Sequence, residues 1–325
     1  MTRVALVGSG VVGSSWSLVF TRAGLDVVVH DPDRASAERV VDYIRSALDD
    51  PEASKLTSRD DRDAILSRVK IAASLEDALA GADYVQESAP ERLKVKKELY
   101  KRLDALAGPN TILASSTSGL PASSFTEGLN RAHRCLVVHP INPPHLVPLV
   151  EIVPAPWTAP DVVDRAADLM RKVGQSPIRL RREINGFVVN RLQSAILGEA
   201  FRLVEDGICD SDEVDRAISD GLGRRWFFMG PFETIDLNAK NGIAEYCRNL
   251  GPMYFDLAKE QADPRPWNAK LIETIEQTLR RRVPEHELAQ RRSWRDSYIA
   301  RLRSMARTDG PGDYTPSDLN PGSTS

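Results

Sequence analysis

Residues 3–31 read RVALVGSGVVGSSWSLVFTRAGLDVVVHD. The first five, RVALV, form a short apolar run rich in β-branched side chains, and Gly8 ends it. A helical pattern begins near Val11 and carries Trp16, Val19 and Phe20 at helical spacing. DVVVH at 26–30 is a second strand-like run. Strand, helix and strand within about 30 residues make a βαβ unit.

The turn inside this unit, Gly8-Ser9-Gly10-Val11-Val12-Gly13, is a G-x-G-x-x-G between a strand and a helix. In that context the three glycines have separate jobs: Gly8 permits the tight turn, Gly10 lets backbone approach a pyrophosphate, and Gly13 lets helix and strand pack closely. The helix N-terminus then faces the negative charge. Asp31 closes the second strand 18 residues past Gly13. A carboxylate there accepts hydrogen bonds from a ribose 2′-hydroxyl and repels a 2′-phosphate, so NAD is expected over NADP.

Further strand-like runs follow at 69–72, 83–86, 111–114, 135–138, 147–152 and 176–180, several of them separated by helical patterns. Ser74 with Asp77, and Thr158 with Asp161, read as helix caps followed three residues on by an acid. The alternation predicts an α/β fold: a Rossmann-type, doubly wound, mostly parallel sheet over residues 1–185. The pattern then changes. Residues 186–206 read as one long helix, and the chain stays helical to 306, which predicts an all-helical second domain over 186–306. Residues 307–325, rich in Gly, Pro, Ser and Asp, have the composition of a disordered tail.

Composition narrows the class. The 325 residues suggest two domains, and 42% hydrophobic content allows a sizeable core. A net charge of −3 gives no sign of nucleic-acid binding. No run approaches the roughly 20 apolar residues of a membrane helix, and MTRVALVGSG has no export-signal pattern. Cys135, Cys209 and Cys247 are few and scattered, with no metal-like cluster, so a reducing cytoplasm is expected.

The chemistry gathers between 115 and 151. SSTS at 115–118 follows one strand, and His139-Pro140-Ile141-Asn142-Pro143 follows another. Glu151 lies twelve residues past His139. Ligands of open α/β sheets bind beyond the carboxyl ends of strands, so Ser118 and His139 reach one crevice. Oxidising an alcohol needs a base for the hydroxyl proton, and histidine has a suitable pKa. A carboxylate on its other nitrogen fixes the tautomer and stabilises the imidazolium. His30, His133, His145 and His286 are expected to be ordinary surface or core residues. Ser118 lacks the G-x-S-x-G elbow of a serine hydrolase.

These residues resemble the 3-hydroxyacyl-CoA dehydrogenase superfamily over almost all of 1–306. The resemblance rests on GSGVVG, Asp31, ERLKVK at 91–96, SSTS, HPINP at 139–143, Glu151, GFVVNRL at 186–192 and GPFE at 230–233. HPINPP, LVEIVP, LVEDGI, GLGRRW, DLNAKNG and RRSWRD are most similar to its lambda-crystallin branch. The resemblance implies NAD-dependent oxidation of a 3-hydroxyl to the ketone. It implies a catalytic dyad of His139 and Glu151, with Ser118 and Asn190 on the substrate oxygen. It also implies cofactor contacts at Glu91, Lys96, Ser116 and Asn142, and backbone amides of Val11 and Val12 on the pyrophosphate. Without the family, Glu91 and Lys96 read as solvated charges at a helix start.

The substrate implied by that branch is L-gulonate, with L-carnitine or a CoA thioester as alternatives. The carnitine branch typically lacks the asparagine matching Asn190. Residues 42–63 are acid-rich with one lysine at 55, where a CoA-using member is expected to offer lysines. Arg225, beside Trp226, has the bidentate chemistry to bind a free carboxylate. An interdomain or surface ion pair is the plain alternative. Amphipathic stretches at 231–260 and 287–306, with the resemblance, point to a homodimer through the helical domain. A non-catalytic, NAD-binding structural protein is the reading from a different class; intact Ser118, His139, Glu151 and Asn190 speak against it.

Overall fold

In a computed structural model, residues 2–50 and 61–308 are described. Lys55, and the expected tail from 309 onward, lie outside them; 307 and 308 end the last helix, Leu288–Thr308. Eight strands follow in chain order: β1 Arg3–Val7, β2 Asp26–His30, β3 Val69–Ile71, β4 Tyr84–Glu87, β5 Ile112–Ser115, β6 Cys135–Pro140, β7 Leu149–Pro154 and β8 Ser176–Arg179. They form one sheet of order β3-β2-β1-β4-β5-β6-β7-β8. Every neighbouring pair is parallel except β6–β7, which is antiparallel.

Side chains alternate across the pleat, and helices cover both faces. In β1, Val4 and Leu6 join one buried cluster and Ala5 and Val7 the other. The first cluster receives Trp16 and Phe20 from α1 (Val11–Arg22), Val40 and Ile44 from helix Arg34–Asp49, and Met170 from helix Pro160–Lys172. The second receives Tyr100 and Leu103 from helix Leu93–Leu106, with Phe125 and Phe187.

Local expectations mostly hold, within one or two residues at strand ends. Ser74 caps its helix, accepting from the Asp77 N–H at 3.1 Å. Thr158 does not cap. The N-cap is Ala159, with Pro160 in the first turn. The Thr158 hydroxyl donates to the Cys135 carbonyl and accepts from the Ala155 N–H, so it ties a loop to β6 instead. The helix expected from 186 starts at Val189, because Gly186 (φ 75°) and Phe187 (φ 50°) are left-handed.

By internal packing the described residues divide into one unit of 2–191 (residues 51–60 aside) with Arg295–Ser304, and a second of Leu192–Trp294 with 305–308. Residues 295–304 of the last helix belong to the same unit as the sheet. The second unit has no strand among the described residues. Its one buried apolar side chain, again among the described residues, is Leu271. Phe227, Phe228, Phe232, Tyr254, Phe255 and Trp267 of that unit are exposed. No helix among the described residues is long and apolar enough to cross a membrane.

His145 sits in the β6–β7 connection and is buried. Burial first, then the charges of Arg22 and Arg303, push its pKa from 6.5 down to about 3, with Asp50 opposing. Ser15 and Tyr43 complete its surroundings. A folded pKa below the unfolded one means the unfolded chain binds the extra proton between the two values. His145 therefore contributes stability above pH 6.5 that is lost as pH falls toward 3, at about 1.4 kcal/mol per unit of separation. In denaturant titrations between pH 6.5 and 4, His145→Asn is expected to give a shallower loss of stability than the unsubstituted chain. Equal slopes would show that His145 does not carry this dependence.

Candidate active site

The site grows from the carboxyl ends of β1, β4, β5 and β6 and from the amino end of the antiparallel β7. At β1, Gly8 has φ 99°, and a Cβ there would lie 2.7 Å from the Ser88 backbone. A Cβ on Gly13 would lie 2.0 Å from the Gly8 carbonyl oxygen. Both positions require glycine. At Gly10, a Cβ would meet nothing within 4 Å. The reason for glycine there is access to open space rather than protein packing. No side chain caps α1, and its first turn carries no acid. The opening N–H groups of the helix, including those of Val11 and Val12, are therefore free of side-chain acceptors, which suits a pyrophosphate.

Asp31 is oriented by donors that the spacing could not reveal. Its Oδ2 accepts from the Ser9 N–H and hydroxyl, each at 2.8 Å, and its Oδ1 from the Asp33 N–H at 2.9 Å. A carboxylate has about four acceptor positions, so capacity remains for a ribose hydroxyl. These residues fit NAD.

At β6 and β7 the register sets His139 directly opposite Glu151. His139 Nδ1 and Glu151 Oε2 are 2.7 Å apart. Glu151 is fully buried, and its Oε1 accepts from the N–H groups of Val188 and Val189 at 2.8 and 3.1 Å. Burial alone would raise its pKa. The His139 hydrogen bond and the two backbone donors outweigh burial and hold it below the usual carboxylate value. Glu151 is thus an ionised acceptor, and Nδ1 carries the hydrogen between them. The His139 Nε2 is then a free lone pair.

The amides that hold Glu151 are aimed by the left-handed pair Gly186–Phe187. Phe187 is the only non-glycine with positive φ among the described residues. Such a conformation costs on the order of 1–3 kcal/mol. It is offset by complete burial of the ring, which packs 5.6 Å from the His139 ring.

Beyond β5, Ser118 is exposed, and its carbonyl accepts from Asn190 Nδ2 at 2.7 Å. Asn190 therefore ties the first turn of its helix to the serine loop. Glu91 accepts from the Thr117 hydroxyl and the Gly119 N–H and braces the same loop. Asn142 is exposed in the β6–β7 connection.

Two expected cofactor contacts are committed elsewhere. The Ser116 hydroxyl accepts from Trp16 Nε1 (3.2 Å) and Gln86 Nε2 (2.7 Å), and lies 2.9 Å from the Ser88 hydroxyl. With both lone pairs used, its hydrogen goes to Ser88, and no capacity is left for a ligand. Lys96 is 1% exposed and pairs with buried Glu87 at 2.9 and 3.0 Å. The reading of Lys96 as a solvated charge is therefore incorrect, and its ammonium does not face an open cleft. Glu87 also accepts from the Ala89 N–H and the Ser115 hydroxyl. This pair holds the segment that abuts Gly8. No periodicity links positions 87 and 96, so sequence spacing could not expose it. Arg225 lies in the second unit and is exposed.

A nucleotide-binding sheet with a buried His–Glu pair at its carboxyl edge defines an NAD-dependent dehydrogenase acting on CH–OH groups. Comparison with known proteins agrees. The NAD-binding domain of 3-hydroxyacyl-CoA dehydrogenase matches residues 3–184, and the C-terminal domain of the same family matches 186–281. The chain belongs to the 3-hydroxyacyl-CoA dehydrogenase family. It is 41% identical to a lambda-crystallin homolog of Bos taurus, covering 93% of this chain and 95% of that one. It is 39% identical to an L-carnitine dehydrogenase of Oceanobacillus iheyensis, covering 78% and 81%. Among solved structures, it superposes with a TM-score of 0.76 on 5-formyl-3-hydroxy-2-methylpyridine 4-carboxylic acid 5-dehydrogenase, an NAD+-dependent dismutase. That pair is 26% identical, with 94% and 98% of the two chains covered.

Proposed function

We propose that this dehydrogenase oxidises the 3-hydroxyl of a small, free hydroxy acid, with L-gulonate the first candidate. The observation that carries the reading is the 2.7 Å His139–Glu151 contact at the edge where the cofactor cradle lies. His139 takes the hydroxyl proton on Nε2. Glu151, kept ionised by its own donors, fixes the tautomer and stabilises the imidazolium. Bound NAD supplies the hydride acceptor. The Ser118 hydroxyl and the Asn190 amide hold the substrate oxygen, and the Asn190–Ser118 bond keeps the two in register. Gly8, Gly10, Val11, Val12, Gly13 and Asp31 hold the cofactor, with Glu91 bracing the loop beside it and Asn142 exposed to it. A cytoplasmic setting fits three cysteines that are all free.

A free acid is favoured by Arg225, whose guanidinium binds a carboxylate through two parallel hydrogen bonds. The resemblance to the lambda-crystallin branch favours L-gulonate over L-carnitine. A homodimer through the helical unit is supported by its exposed aromatics and single buried apolar residue among those described. A second copy offers the same faces and closes with two-fold symmetry.

NADH absorbance with L-gulonate, L-3-hydroxybutyrate, L-carnitine and 3-hydroxybutyryl-CoA is expected to show fastest turnover on a free acid, L-gulonate first. His139→Ala is expected to lower that turnover by roughly 10³-fold or more while NAD affinity stays nearly intact. Retained turnover would overturn the mechanism. No turnover on any of the four, with tight NAD binding, would favour a structural role or another substrate. Arg225→Met is expected to raise KM for the free acid by roughly 10-fold or more, as loss of a charged hydrogen bond requires; an unchanged KM would remove Arg225 from the site. Light scattering on the eluting full chain is expected to give twice the chain mass, and a monomer at micromolar concentration would reject the dimer.

A further inference from the structure

The connection between β6 and β7 carries a junction that the proposed chemistry does not use. Ser15 lies on α1, two residues past Gly13. His145 lies midway through the hairpin, six residues from His139 and six from Glu151. The Ser15 hydroxyl accepts from the His145 backbone N–H at 3.1 Å and lies 2.7 Å from the His145 Nδ1. One hydroxyl has one hydrogen. It also has two lone pairs, so Ser15 pairs with Nδ1 in either tautomer of the ring, donating to a bare nitrogen or accepting from Nδ1–H. Both side chains are buried, which makes the arrangement costly to leave half-made.

The same residue is held from two other directions. The His145 carbonyl accepts from Arg22 of α1 at 3.1 Å and from Arg303 at 2.8 Å. Arg303 spans a second carbonyl, Gly174, at 2.9 Å. Gln175 Nε2 donates to the neighbouring Pro144 carbonyl at 2.9 Å. Leu146 and Ala300 bury against each other, with Ile299 alongside. Arg303 and Ala300 come from the last helix, and belong to the same unit as the sheet. Ordinary core filling explains Leu146 and Ala300. It does not explain four hydrogen bonds from α1 and the last helix converging on one hairpin residue.

We propose that Ser15, His145 and Arg303 are positioning residues that join the cofactor-binding helix to the His139–Glu151 hairpin, so that cofactor binding at one is transmitted to the other. α1 starts at the glycine turn, and the hairpin carries the dyad. The sheet joins β1 to β6 only through β4 and β5, and a misplacement of about 1 Å between base and cofactor costs on the order of 100-fold in rate. The junction supplies that link in two parts: Ser15 connects α1 to the hairpin, and Arg303 clamps the hairpin from the far end of the chain. The inference rests on the proposed roles of His139 and Glu151, but its test does not depend on turnover.

The test is amide hydrogen exchange of the full chain, with and without saturating NADH. In the unsubstituted protein, NADH is expected to slow exchange across residues 136–152. In Ser15→Ala and in Arg303→Met, that protection is expected to fall by roughly three- to ten-fold, the worth of one net hydrogen bond. NADH affinity, read by fluorescence, is expected to stay within about two-fold, because neither side chain is assigned to the cofactor. His145→Asn offers an amide oxygen to the Ser15 hydroxyl and is expected to keep the protection, whereas His145→Leu loses it. If the leucine variant does not fold, Ser15→Ala and Arg303→Met decide. Absence of NADH-induced protection in the unsubstituted chain, full protection in both variants, or a large loss of NADH affinity would each overturn the proposal. Failure of the proposed function is seen separately, as absence of turnover on the four alcohols with the protection pattern intact.

Discussion

The Glu151 carboxylate is the point on which the site depends. One oxygen holds the His139 ring and the other gathers the N–H groups of Val188 and Val189. A buried carboxylate without partners would take a proton and cease to orient anything. Here three donors keep it charged. Three segments are thereby locked together: β6, β7 and the start of helix Val189–Glu205. The left-handed turn at Gly186–Phe187 exists in the service of that bond, and its strain is compensated by Phe187 packing against the second core cluster.

The one antiparallel pair in the sheet has the same purpose. A parallel neighbour would need a long crossover, whereas a short connection folds β7 back on β6 and brings positions 139 and 151 face to face. The connection itself is buried from Pro143 to Leu146 and rests on α1 through His145. Around it, polar groups at the sheet edge find partners one by one: buried Lys96 in Glu87, and half-buried Ser116 and Asp31 in Trp16 and Gln86 and in Ser9. Each of these bonds fixes a loop at the carboxyl edge of the sheet.

The two units differ in how they use apolar residues. The sheet unit is covered on both faces by two large buried clusters. The helical unit exposes large aromatics and, among its described residues, buries little. That exposed apolar surface is what the proposed dimer would cover.

The sequence by itself determined the nucleotide fold, because its signals are local. The strand–glycine turn–helix of 3–22, the acid at 31 and the alternation of runs each depend on neighbours within a few residues, and each strand appeared within one or two positions of its expected place. His139 and Glu151 were also singled out by the apolar runs around them, although the structure places both inside strands, His139 near the end of β6 and Glu151 near the start of β7. Only the tertiary structure decided which side chains serve those residues. Ser9 on Asp31, Glu87 beneath Lys96, Ser15 under His145 and the amides of 188 and 189 on Glu151 are contacts between segments 9 to 130 residues apart. No periodicity encodes such pairs; they arise when strands take their order and burial makes an unpaired polar group costly. The same requirement moved the helix start from 186 to 189 and gave Thr158 to Cys135, because satisfying a buried acceptor outweighed local propensity.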